Sequence, residues 1–163
     1  MSRKEQNLKT LEKICFISGA PHSGSTLLGL ILGSHSNAFY AGEANKTRFL
    51  GNKNINNTTE DKGCKVCGEN HCPVWGDYKY DETEILYNYL AEKTKKSLII
   101  DSTKNIKWLE KQISFLSNFK LELYLIYLGR DGRAVINSRI RKYKDANIKE
   151  LINNWKEHIK KTN

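Results

Sequence analysis

The chain has 163 residues, with 27 Lys and Arg against 18 Asp and Glu, giving a formal net charge of +9. That length suits one domain able to bury most of its unfolded surface, and the charge favours acidic ligands or surfaces. The apolar stretch from Leu27 to Leu32 is far too short to span a bilayer, and Met1 to Lys13 are charged throughout without a signal-peptide core, which predicts a cytoplasmic protein.

In chain order, Ile14 to Ile17 predicts a strand. It runs into a Gly-x-x-x-x-Gly turn, from Gly19 to Gly24, followed by Ser25 and Thr26. Such glycines let backbone N–H groups turn toward an anion, and the helix that follows adds its positive dipole end. That helix, Ser25 to about Ser34, is apolar nearly all round, which predicts burial against a sheet. Serine 25 stands where a nucleoside-triphosphatase carries the lysine that reaches the β- and γ-phosphates. The pattern therefore points to a nucleotide-like anion without a triphosphate tail, such as a phosphosulfate. The plain alternative is a Gly/Ser-rich turn between a core strand and a core helix.

A short extended piece near Phe39 leads to Gly42-Glu43, with a helix or turn over Ala44 to Leu50. Residues 51–76 form an insertion. Its first part, Gly51 to Gly63, is rich in asparagine and reads as a loop. Cys64, Cys67 and Cys72, beside His71, have the spacing that begins a zinc knuckle. Adjacent His71 and Cys72 have difficulty reaching one tetrahedral ion, so reduced loop thiols are the preferred reading, and Cys15 reads as an apolar filler of the first strand. Helical spacing at Ile85, Leu86, Tyr89 and Leu90 precedes an apolar run at Leu98 to Ile100, which ends in Asp101-Ser102-Thr103-Lys104. The same spacing at Ile106, Leu109, Ile113 and Leu116 precedes the run Leu123 to Leu128, which ends in Gly129-Arg130-Asp131-Gly132. This β-α-β alternation predicts an α/β fold with a parallel sheet flanked by helices. In such sheets ligands lie outside the carboxyl ends of the strands, so Gly19, Asp101 and Arg130 should share one rim. A basic amphipathic helix, with Ile148, Leu151, Ile152, Trp155 and Ile159 as its stripe, ends the chain.

Four of these motifs together resemble the sulfotransferases that use 3′-phosphoadenosine-5′-phosphosulfate (PAPS). Pro21-His22-Ser23-Gly24-Ser25-Thr26-Leu27-Leu28 is similar to that family's 5′-phosphosulfate loop, and Arg130 with Ser138, eight residues apart, to its 3′-phosphate motif. Asp101-Ser102-Thr103-Lys104 resembles the Asp-Ser-Ser-Lys turn of bacterial members, and the segment from Cys64 to Trp75 their Cys-rich insertion. His22 departs from the pattern, which has lysine or arginine there. The resemblance implies a P-loop-like sulfotransferase domain and a longer protein, of which these 163 residues are an amino-terminal part or a short form. A cut at that point should leave part of the last helix's stripe uncovered.

The resemblance also implies roles. His22, Ser23, Gly24, Ser25 and Thr26 hold the 5′-phosphosulfate, while Arg130 and Ser138 hold the 3′-phosphate. Glu43 is the first choice for the base that takes the acceptor's proton, His35 the competitor, and a helix-terminal carboxylate the structural alternative. His22, when protonated, and Lys104 supply positive charge near the leaving phosphate. Asp101 is expected to cap the helix beginning near Asn105, and Trp75, Trp108 and Trp155 to pack. The chemistry demands no metal, and the acceptor is a hydroxyl of unspecified class. A small-molecule kinase of the P-loop type shares the expected fold, and a basic nucleic-acid-binding module shares the charge. Between Arg139 and Lys161 there are eight Lys or Arg against Asp145, Glu150 and Glu157, but without interleaved aromatics for base stacking, so nucleic acid is not expected.

Overall fold

The computed structural model describes residues 10–49, 72–76, 78, 86–143 and 147–162. Among them the chain alternates strand and helix as the apolar runs require. The order is β1 (Lys13–Ser18), α1 (Ser25–Gly33), β2 (Ala38–Tyr40), a 3₁₀ segment (Ala44–Phe49) and α2 (Leu86–Thr94), then β3 (Leu98–Asp101), α3 (Ile106–Leu116), β4 (Glu122–Tyr127), α4 (Gly132–Lys142) and α5 (Ile148–Thr162).

All the strand pairings are parallel, in the order β2-β3-β1-β4. Cys15 faces Ile100 on one side and Tyr124 on the other, and the register carries Phe16 to Asp101 and Leu125. From β1 the chain goes to β2 on one flank, and after β3 it crosses to β4 on the other. The strand order thus reverses at β1, so a crevice opens outside its carboxyl end. That position is the rim expected from the sequence.

Side chains alternate across the sheet because the strand period is two. Ile14, Phe16 and Ile99 face α2 and α3, where they pack with Tyr87, Leu90, Leu109 and Leu116. Cys15, Ile17 and Ile100 face the other way and meet Leu28 and Leu32 of α1. Each fully buried branched or aromatic side chain of this kind stabilises the fold by about 1.5–3 kcal/mol. Cys15 is buried among these apolar neighbours, as its place in the strand predicts, and burial pushes its thiol pKa up.

One expectation holds only in part: the apolar helix α1 packs on the sheet through Leu28 and Leu32, but Leu27, Leu30 and Ile31 are 65%, 55% and 59% exposed. A helix on a sheet covers only one stripe, and α1 spends that stripe on Leu28, Leu32 and two glycines. Gly29 and Gly33 let it approach the Tyr40 side chain, where an added Cβ at either position would overlap Tyr40. Beyond α1, Tyr124, Leu125 and Tyr127 of the edge strand β4 are also exposed.

At the chain's end the outcome is mixed. Leu151 of α5 is buried, Ile152, Trp155 and Ile159 are half-buried, and Ile148 is exposed. The Trp155 ring lies where a Cβ on Gly132 would reach it at 2.9 Å, so the first residue of α4 must be small. Trp75 and Trp108 pack against the main core, as predicted. Among the described residues no helix is long and apolar enough to cross a membrane.

Candidate functional site

Four connections at the carboxyl rim, after β1, β2, β3 and β4, carry the candidate residues. After β1 the backbone reverses through Gly19 (φ +146°), His22 (φ +69°) and Gly24 (φ +97°). At Gly19 an added Cβ would strike the Leu128 carbonyl oxygen, so this turn admits only glycine. His22 is a bulky residue held in the left-handed region. Such strain costs on the order of 1–3 kcal/mol and collects at functional positions.

The α-helices that follow the turns after β1, β3 and β4 begin differently. Asn105 caps α3 by accepting from the Trp108 amide, and Asp131 caps α4 by accepting from the Arg133 amide. Helix α1 has Gly24 as its N-cap and, among the described residues, no side chain capping it. Its first amides keep their donor capacity and the positive dipole end. Beside them Ser23 is buried, and its hydroxyl has no hydrogen-bond partner among the described residues. A buried hydroxyl without a partner and an uncapped helix terminus are together a set of donors that an anionic oxygen would satisfy. Ser25 is buried in the first turn and Thr26 is exposed beside it.

The second anion-competent group converges on the same loop. Arg130 donates from its guanidinium to the His22 carbonyl at 2.8 Å, and His22 Nδ1 lies 3.2 Å from Ser138 Oγ. Residues 108 and 116 positions apart are thereby joined. His22, Arg130, Ala134, Asn137, Ser138, Arg141 and Lys142 line a cavity of about 540 Å³. The sequence reading missed Asn137, Arg141 and Lys142. Their signal was the helical period, since 134, 137, 138, 141 and 142 repeat at the spacing of one helix face. Arg133 does not join this group, because its guanidinium is paired with Asp131 at 2.7 Å, an interaction that holds the Asp131 carboxyl at about 2. Partial burial lowers the His22 pKa, and the charges of Lys142, Arg139, Arg130 and Lys104 lower it further.

Glu43 and Lys104 form the third group. Lys104 Nζ donates to Glu43 Oε1 at 2.9 Å and to the Ser102 carbonyl at 2.9 Å, while Lys46 reaches the other Glu43 oxygen at 2.6 Å. Burial acts to raise the Glu43 pKa, but hydrogen bonds from Lys46 and Lys104 outweigh it and hold the carboxyl below the usual glutamate value. Glu43 is therefore an ionised carboxylate on the rim. The helix-capping alternative fails, because the Ala44 amide donates to Asp101 Oδ1 at 3.1 Å and the Asn45 amide to Thr103 Oγ1 at 3.2 Å. His35 lies exposed just beyond α1, with its Nδ1 accepting from the Asn37 amide at 3.1 Å.

Asp101 corrects another expectation. It does not cap α3, a task done by Asn105. Asp101 is fully buried, accepting from Thr103 N at 2.7 Å and Ala44 N at 3.1 Å on one oxygen and from Tyr87 Oη at 2.8 Å on the other. Burial raises its pKa, against the opposing hydrogen bonds from Thr103, Tyr87 and Ala44.

Of the cysteine cluster, Cys64 and Cys67 lie outside the described residues. Cys72 is half-buried, and its Sγ accepts from the Trp75 amide at 3.4 Å. No protein-family model matches the chain, and neither does any curated protein sequence.

Proposed function

We propose that this chain binds 3′-phosphoadenosine-5′-phosphosulfate and moves its sulfuryl group to an acceptor hydroxyl. One observation carries the reading: His22 touches Ser138 through its ring and Arg130 through its carbonyl, so the uncapped α1 loop and the basic α4 face form two adjoining anion sites. Two such sites suit a ligand bearing two separate phosphates better than one bearing a single chain of them. The fit rests further on the partnerless Ser23 hydroxyl and on Gly24, where nothing lies within 4 Å of an added Cβ and a ligand can approach the backbone.

When bound, the donor supplies a sulfuryl group on a phosphate leaving group, transferable by in-line displacement. The α1 amides, Ser23 and Ser25 orient the 5′ end, and Arg130, Ser138 and Lys142 take the 3′-phosphate with charge-assisted bonds. Positioning and electrostatics dominate such transfers. His22, protonated by the added negative charge, donates toward the leaving oxygen. Lys104 is drawn from Glu43 toward that charge, and the released carboxylate gains basicity and accepts the acceptor's proton at an Oε atom.

The kinase alternative loses support at two positions. Ser25 replaces the phosphate-reaching lysine, and both oxygens of Asp101 are already engaged in the interior, far from the role of a rim ligand for Mg²⁺.

The experiment is a pair of calorimetric titrations on Arg130→Ala. Affinity for adenosine 3′,5′-bisphosphate should fall by about 10- to 150-fold, equivalent to 1.5–3 kcal/mol, with affinity for adenosine 5′-phosphate unchanged. Equal losses for both nucleotides would contradict the assignment of Arg130 to the 3′-phosphate.

A further inference from the structure

The segments at 42–45 and 101–104 leave the ends of neighbouring strands, β2 and β3, and are stitched residue by residue. The Ser102 amide donates to the Gly42 carbonyl at 2.8 Å, Ala44 N to Asp101 Oδ1 at 3.1 Å, Asn45 N to Thr103 Oγ1 at 3.2 Å, and Lys104 Nζ to Glu43 Oε1 at 2.9 Å. Tyr40 Oη meets Ser102 Oγ at 2.7 Å from below. The links through Asn45, Lys104 and Tyr40 are partly buried, whereas the Asp101 link is buried and, among the described residues, also reaches a third element through Tyr87 of α2.

We propose that Asp101, locked by the Tyr87 hydroxyl, is the positioning residue that fixes the Glu43–Lys104 pair on the rim. Its Oδ1 holds the amide directly after Glu43 and the amide directly before Lys104 on a single atom. Both side chains therefore hang from backbones that share one buried anchor, and neither backbone segment can shift without breaking a hydrogen bond in the interior, while the Lys104 side chain stays free to turn toward a bound anion. Tyr87 fixes the rotation of the carboxylate, since its hydroxyl binds the other oxygen and its ring packs edge-on against Phe16 at 5.7 Å. The catalytic use of the pair rests on the sulfuryl-transfer reading, whereas the anchor itself does not.

Tyr87→Phe and Asp101→Asn test the anchor, with Glu43 followed by carboxyl carbon NMR. Among the described residues, Lys46 and the Ser102 carbonyl bond to the pair, and His22 feels the Lys104 charge. In Tyr87→Phe, which keeps the ring and removes only the hydroxyl, the Glu43 titration should move up toward the ordinary glutamate value as Lys104 loosens. Donor turnover should fall by about 10- to 100-fold with KM for the donor unchanged, the loss typical of a small misplacement. An unshifted Glu43 titration in folded Tyr87→Phe overturns the proposal, and that variant decides the matter if Asp101→Asn does not fold. Should the wild-type chain fail to bind adenosine 3′,5′-bisphosphate, the functional reading falls, while the Glu43 titration still tests the anchor.

Discussion

Anion binding should load a proton onto His22, and the expected pH dependence follows from its surroundings. In the free protein, burial and the charges of Lys142, Arg139, Arg130 and Lys104 keep its pKa below 6.5. A phosphate charge about 4 Å away contributes roughly 4 kcal/mol at an effective dielectric constant near 20. Because the ring is only partly buried, solvent screening reduces this several-fold, and what remains moves the His22 pKa upward. The bound pKa then exceeds the free one, so the contribution of His22 to affinity is complete below the free value and lost as pH rises through the bound value. Between the two, Kd should rise by up to about tenfold per pH unit. The ligand's own second phosphate ionisation, near 6, works in the opposite direction, so a His22→Lys control is needed to isolate the histidine. Calorimetry of adenosine 3′,5′-bisphosphate in buffers of different ionisation enthalpy counts the protons directly. Wild type should take up a substantial fraction of one proton near neutral pH, and His22→Lys should take up less and bind better at alkaline pH. Identical proton uptake and identical pH slopes in the two proteins would refute the reasoning.

Two further outcomes test packing around the site. Gly29→Ala places a methyl group in the Tyr40 ring, whose hydroxyl is tied to Ser102, so despite a gain in helix propensity it should destabilise by about 1–2 kcal/mol in urea unfolding. Unchanged or raised stability would show that α1 rides free of β2. Gly132→Ala meets the Trp155 ring at 2.9 Å and should raise the amide exchange rate of α5 more than that of the sheet, with uniform exchange as the contrary result.

Local signals made much of this architecture legible. The apolar runs at Ile14, Leu98 and Leu123, with helical spacing before the second and third, gave an α/β fold and a shared rim, because periods of 2 and 3.6 depend on near neighbours alone. Arg130 was placed on the rim by the turn after its strand, whereas its pairing with Ser138 came from the resemblance to the sulfotransferases' 3′-phosphate motif and not from periodicity. The function of Asp101 was not visible. A carboxylate four residues before Asn105 looks like a cap, and only the lateral placement of β2 beside β3 brings the Ala44 amide to it. Helix α1 was legible in part: its apolar composition predicts burial against a sheet, which Leu28 and Leu32 meet, yet burial depends on what lies opposite, and Leu27, Leu30 and Ile31 are exposed. Arg141 and Lys142 stood out in the sequence only among the eight Lys and Arg between Arg139 and Lys161, because His22, the other wall of the cavity, lies more than a hundred residues away.

The central claim is that two adjoining anion sites select a nucleotide phosphorylated at both its 3′ and 5′ positions. It is tested most directly by titrating the chain, without added Mg²⁺, with adenosine 3′,5′-bisphosphate, adenosine 5′-phosphate and ATP. The bisphosphate should bind tightest, by about 10- to 150-fold over the monophosphate, as charge-assisted contacts to the second phosphate require. Equal affinity for bisphosphate and monophosphate, or preference for ATP with an absolute need for Mg²⁺, would contradict the account.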